Sequence, residues 1–236
     1  MEYIITLFVC LALYTVGCIF LHRIPLRKEV VNVAFAVCIF VPYVYCVIAM
    51  YLDVGAHDWN FTNTLPTANV SPFTYCLAVI SLFLPKKLQP YLFNLFALLS
   101  LGMLCAGSLS CISFTLRRYA FHLTIAFDCL SHVLVSLWGV YLVKSGQAEL
   151  SVKKSIQSGT VIVAVAVGML LANLAFDTAF FGLSLTGKHN IYNFVLCESG
   201  TWSAILYFIG LHVVLFVGYF YQRLLQGERT KSPLQP

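Results

Sequence analysis

Seven apolar stretches, separated by short polar connections, divide the chain: Tyr3–Leu21, Val30–Leu52, Val70–Leu84, Tyr91–Phe114, Tyr119–Val143, Ser155–Phe181 and Thr201–Tyr221. Most are near the ~20 residues that a helix needs to cross a bilayer. The third is short, opening with Pro72 and closing at Pro85. Proline is tolerated in the first turn of a helix, so Pro72 marks a start. The pattern predicts an all-α, polytopic transmembrane bundle of about seven helices over residues 1–222. A polar stretch, 223–236, follows it and reads as a disordered tail. The first stretch has no basic leader and is long for a cleaved signal, so it reads as a retained span. No internal repeat and no second domain are visible.

Composition agrees with this reading. Of 236 residues, 60% are hydrophobic and only 10% charged, with a mean hydropathy of +0.88. That charge is well under half of what a soluble domain carries. The net charge of +5 carries no nucleic-acid signature, because no basic cluster interleaved with aromatics and no finger spacing is present. The charges orient the chain instead. Arg23, Arg27, Lys28, Lys86, Lys87, Lys144, Lys153, Lys154, Arg223, Arg229 and Lys231 all fall on one side of a seven-span chain. Only Arg117, Arg118 and Lys188 fall on the other. The positive-inside rule then puts the N-terminus out and the C-terminus in the cytoplasm. Of two sequons, at Asn60 and Asn69, only Asn60 is far enough from the membrane to be an acceptor, and then only in a eukaryotic lumen. The membrane itself follows from the host: an endomembrane in a eukaryote, the plasma membrane in a bacterium.

Polar residues inside the spans carry the chemistry. The fifth stretch holds His122, Asp128 and His132, and the last two are four apart, so a helix stacks them on one face. An ionisable residue at membrane depth costs a few kcal/mol on insertion scales, roughly, and marks function by default. The bland alternative is a buried Asp–His bond that glues helices together. Asn173 and Asp177 repeat the four-residue spacing in the sixth span, where an interhelical clamp is the ordinary reading. His212 lies in the seventh. Together Asp128, His132, Asn173, Asp177 and His212 suggest one polar cavity shared between helices.

Nine cysteines lie along the chain, with no CxxC and no His/Cys ladder at zinc spacing, so no metal site is expected. Most sit in apolar spans, where cysteine behaves as a small hydrophobe. Cys76 stands apart because it follows Pro72-Phe-Thr-Tyr near the start of a short helix, and a helix N-terminus favours thiolate.

Three short motifs stand in order along the chain: Pro72-Phe-Thr-Tyr-Cys76; Ile125-Ala-Phe-Asp-Cys-Leu-Ser-His132, with Trp138-Gly-Val-Tyr-Leu142 after it; and Asn190-Ile-Tyr-Asn193-Phe-Val-Leu-Cys197. The first follows a Pro-x-x-x-Cys pattern, the second an aromatic-rich helix with a central histidine, and the third an asparagine-rich loop. In these the chain resembles the YwaF-type (transmembrane protein 164) family of integral membrane proteins, which includes phospholipid acyltransferases. Asn173 and His212 fall near polar positions of that family's last spans. Thr74 stands where the family often carries a histidine.

The resemblance implies a fatty acyl chain moved from a phospholipid to a lysophospholipid through a thioester. Cys76 would be the nucleophile and His132 the base. Asp128, one turn before His132, would orient the imidazole. Asn173 or Asn193 would donate to the oxyanion, Asp177 and His212 would line the substrate cavity, and Arg117 and Arg118 would meet a phosphate headgroup. For the arginine pair, snorkelling at the interface is an equal alternative. No soluble cofactor is implied, since both substrates are membrane lipids. Two other readings of the same residues stay open: a proton- or ion-coupled small-molecule transporter using Asp128, His132 and Asp177, and a non-catalytic lipid-binding protein. Missing repeats and paired broken helices count against the transporter. An enzyme requires the nucleophile within reach of His132, which calls for a third helix that starts deep in the membrane.

Overall fold

The computed structural model describes residues 2–23, 25–52, 54, 65–67, 69–117, 120–149, 151–176, 183 and 200–230. Its elements among these residues are helical: α1 (Glu2–Phe20), α2 (Lys28–Tyr51), α3 (Val70–Phe83), α4 (Gln89–Leu116), α5 (Leu123–Lys144), α6 (Val152–Phe176) and α7 (Gly200–Thr230), with a short 3-10 turn at Leu21–Arg23. Six are long and apolar enough to cross a membrane. The chain is an integral, multi-pass helical bundle. Helix α3 has 14 residues and a length of about 21 Å, short of the ~30 Å hydrocarbon core.

Local chemistry sets the helix ends. Pro90 sits in the first turn of α4, where its missing N–H is no loss. Helix α3 starts on an asparagine cap: Asn69 Oδ1 accepts from the Ser71 N–H at 2.9 Å. Helix α5 begins at Leu123 rather than Tyr119, and His122 becomes its extended N-cap residue. Tyr3 explains the late start. Its hydroxyl donates to the Ala120 carbonyl at 2.7 Å and accepts the His122 N–H at 2.9 Å. Those contacts satisfy backbone groups that a further helical turn would have used. At the other end of the chain, α7 runs past Arg223 to Thr230, where a disordered tail was expected. No proline intervenes before Pro233, and Leu224, Leu225 and Gln226 are good helix formers.

Helix α5 is the axis of the bundle, packed against α1, α2 and above all α4. Trp138, fully buried, stacks on Phe96 at 4.7 Å between ring centroids and lies near Phe35. Its indole N–H donates to Asn32 Oδ1 at 3.0 Å, so the polar edge is satisfied where the ring is buried. Gly139 permits the close approach of α4: a Cβ there would lie 2.7 Å from the Phe96 carbonyl oxygen. Small residues at helix contacts are how membrane bundles gain packing.

One end of the bundle gathers cations on carbonyls. Lys28 Nζ donates to the Ser145 carbonyl at 2.7 Å and Lys144 Nζ to that of Cys18 at 2.8 Å, while Lys154 pairs with Glu149. These are three of the residues on which the cytoplasmic assignment rests. Helix α6 lies at the flank, against α4 and α7, and its Ile156, Val161, Val167 and Leu171 are exposed as a lipid-facing wall.

Candidate functional site

Asp128 and His132 meet as their spacing requires. His132 Nδ1 lies 3.4 Å from Asp128 Oδ2 and 2.9 Å from the Asp128 carbonyl oxygen. His132 is buried and the Asp128 side chain nearly so. Gly107 of α4 makes room beside them, since a Cβ there would lie 2.8 Å from His132 Cβ. Asp128 and His132 sit five and nine residues into α5, about 8 and 14 Å from its start, inside the apolar layer.

Helix α3 completes the constellation with two residues that share its face, Ser71 and Tyr75, one turn apart. Ser71 Oγ lies 2.9 Å from His132 Nε2. The Tyr75 hydroxyl lies 2.7 Å from His132 Nδ1 and 3.2 Å from Asp128 Oδ1. A carbonyl oxygen only accepts, so Nδ1 carries its proton towards the Asp128 carbonyl and the tyrosine oxygen; with Asp128 ionised, the single Tyr75 proton goes to the carboxylate. That tautomer leaves Nε2 with a lone pair, and the Ser71 hydroxyl donates to it. A hydroxyl, an imidazole and a carboxylate are thereby joined in the order used for acyl transfer, with a tyrosine as a second link between the last two. The contact also fixes depth: α3 starts at the level of His132, far below the start of α5.

Cys76 occupies a different face. It follows Tyr75 by one residue, a rotation of about 100° on a helix. Tyr75 turns towards α5, and Cys76 turns towards α2, where it meets the Tyr43 hydroxyl. Among the described residues no hydrogen bond joins Cys76 to His132, whose two ring nitrogens are taken by Ser71, Tyr75 and Asp128. The hydrogen bond to His132 Nε2 that a cysteine nucleophile calls for is made by the Ser71 hydroxyl.

Ser71 also lines a groove of about 260 Å³ between α3, α4 and α7. Its walls include Leu99, Met103, Ala106, Leu211 and Val214. The Ser71 hydroxyl therefore stands at the edge of an apolar recess.

The other predicted residues do not converge on this site. The Asn173 amide donates to the Leu183 carbonyl, at the end of a helix that packs mainly on α4 and α7. His212 Nδ1 lies 2.7 Å from the Phe208 carbonyl, four residues earlier, and the side chain faces a groove between α6 and α7. Of the five residues expected to share one polar cavity, Asp128, His132, Asn173, Asp177 and His212, the described ones divide: Asp128 and His132 form one compact cluster, and Asn173 and His212 have separate local partners. Arg117 is exposed at the C-cap of α4. Arg118, Asp177 and Asn193 lie outside the described residues. Among the described residues no group of three His, Cys, Asp or Glu side chains could hold a metal ion.

Ser71 and Tyr75 are the residues that the sequence reading passed over. Their four-residue spacing behind an Asn69 cap was the available signal. Compared with protein-family models, with curated proteins and with solved structures, the chain matches none.

Proposed function

We propose that this protein is an intramembrane acyltransferase that moves a fatty acyl chain from a phospholipid to a lysophospholipid, with Ser71 rather than Cys76 as the acyl carrier. One observation carries the reading: the Ser71 hydroxyl, 2.9 Å from His132 Nε2, opens onto an apolar groove. His132 Nε2 takes the hydroxyl proton as Oγ forms a bond to the acyl carbon. The ester C–O bond to the donor lipid then breaks, and the imidazolium returns the proton to the departing alkoxide. The products are acyl-Ser71 and a lysolipid. A second lysolipid hydroxyl reverses the steps. Asp128 holds the imidazole in the useful tautomer and stabilises its cation, with Tyr75 bridging the two. The N-terminus of α3 favours negative charge developing at Ser71 by about 0.3–1 kcal/mol.

The test is purified protein with a phospholipid labelled in its acyl chain. We expect a labelled protein whose bond survives neutral hydroxylamine, as an oxyester does and a thioester does not. Ser71→Ala abolishes the labelling and Cys76→Ala retains it. Labelling lost in Cys76→Ala and kept in Ser71→Ala returns the thioester mechanism. If neither variant changes acyl transfer, both nucleophiles are wrong.

A further inference from the structure

We infer that the groove between α3, α4 and α7 is the acyl-chain subsite, and that Gly210 sets the length of chain it admits. The inference rests on the acyl-transfer reading and gives that site its specificity determinant.

Three observations converge on it. Ser71 belongs both to the groove wall and to the His132 cluster, so a chain lying in the groove presents its carbonyl end to the hydroxyl. The walls from α4 and α7 are aliphatic or sulfur-bearing where they are not glycine or Tyr207. A sugar or amino acid there would leave polar groups unpaired, at about 1–3 kcal/mol each on protein mutational scales, whereas an alkyl chain needs no partners. The two groove glycines also behave differently. A Cβ on Gly102 would lie 2.5 Å from Val214 Cγ1, so close packing of α4 on α7 accounts for that glycine. A Cβ on Gly210 would meet nothing within 4 Å. Glycine within a helix costs about 1 kcal/mol relative to alanine, and no packing contact offsets it at Gly210. Gly210 is exposed and borders the groove, with open space where a side chain would stand.

The test compares dioctanoyl and dipalmitoyl phosphatidylcholine as donors in mixed micelles, for the parent protein and for Gly210→Ala and Gly210→Leu. A larger side chain there narrows the recess while the Ser71–His132 pair itself is left unsubstituted. We expect Gly210→Leu to lower kcat/KM for the long donor by about tenfold relative to the short one, the scale of one or two methylenes in an apolar pocket. Gly210→Ala should shift the ratio in the same direction by less. An unchanged long-to-short ratio in Gly210→Leu overturns the inference. A second measurement needs no turnover: Ser71→Ala protein is irradiated with a phospholipid bearing a diazirine on its acyl chain. Crosslinks at Leu99, Met103 or Leu211 support the groove as the chain site even if acyl transfer proves absent. Crosslinks confined to the α6 and α1 surfaces overturn it even if acyl transfer is present.

Discussion

Two histidines in two regions of the bundle show how the same local bond can have different consequences. Each places Nδ1 near the backbone carbonyl four residues earlier, His132 at 2.9 Å and His212 at 2.7 Å. That contact is the default for an imidazole on an apolar helix, because the carbonyl is always within reach. The regions differ in what else is near. In the most apolar stretch of α5, 67% of the residues are buried, against 22% in those of α6 and α7. Around His132, α3 contributes Ser71 and Tyr75, α4 yields space at Gly107, and Asp128 shares the face. Around His212 lie the side chains of a groove open to lipid. Dense packing of several helices, rather than the presence of a histidine, distinguishes a constellation from an isolated polar group.

The sharpest way to break this contrast is to push apart the dense side. Gly139→Leu sets a side chain against the Phe96 carbonyl and the Ser100 Cβ, both 2.7 Å from the Cβ position. Backbone cannot yield as a flexible side chain does, so we expect a destabilisation of about 3 kcal/mol, the upper end for an overpacked core. It should appear as loss of the monodisperse peak on size exclusion and a fall in Tm. Gly168→Leu in α6, where a Cβ meets nothing within 4 Å, should leave both unchanged. Equal damage from the two variants would mean that α6 is held as tightly as α5.

Next in size is the imidazole itself. His132→Ala should cut acyl transfer about a hundredfold or more, the usual worth of a positioned general base, with the size-exclusion profile retained. Full activity in that variant would reduce the cluster to helix glue.

Tyr75 gives a finer cut. Tyr75→Phe keeps the ring, which packs against Tyr43, and removes the hydroxyl that joins Nδ1 to Asp128. We expect a loss of about tenfold in kcat, the worth of one hydrogen bond to a charged group at roughly 1.5 kcal/mol. Asp128→Asn should cost as much or more. If Tyr75→Phe is neutral while Asp128→Asn is not, the direct 3.4 Å contact between Asp128 and His132 is sufficient.

The sequence made the bundle and half of this cluster legible. Long apolar stretches mark six spans and a short third helix because bilayer thickness fixes their length. Asp128 and His132 are readable as partners because a helix turn is local geometry. Ser71 was not readable. Its bond to His132 spans 61 positions of sequence and depends on how deeply α3 is set into the bundle. A serine next to an N-cap also has an ordinary explanation, and Pro72-Phe-Thr-Tyr-Cys76 draws attention to the neighbouring face instead. The late start of α5 was hidden for a similar reason: it depends on Tyr3, more than a hundred positions away. Local periodicity survives in a sequence, whereas the choice of which face meets which helix does not.

The smallest expected effect falls on the open side and tests the comparison most directly. His212 has its Nδ1 satisfied by the Phe208 carbonyl, and among the described residues no hydrogen bond reaches its Nε2. Removing the ring frees one carbonyl that already serves the α7 ladder, and it opens space in a groove that is wide already. His212→Ala should therefore change acyl transfer by less than about twofold and stability by less than about 0.5 kcal/mol, as for an exposed site without special partners. The measurement is the same labelled-phospholipid assay run beside His132→Ala. A loss comparable to that of His132→Ala would show that the α6/α7 groove belongs to the reaction, and the division between a dense reactive half and a lipid-facing flank would have to be abandoned.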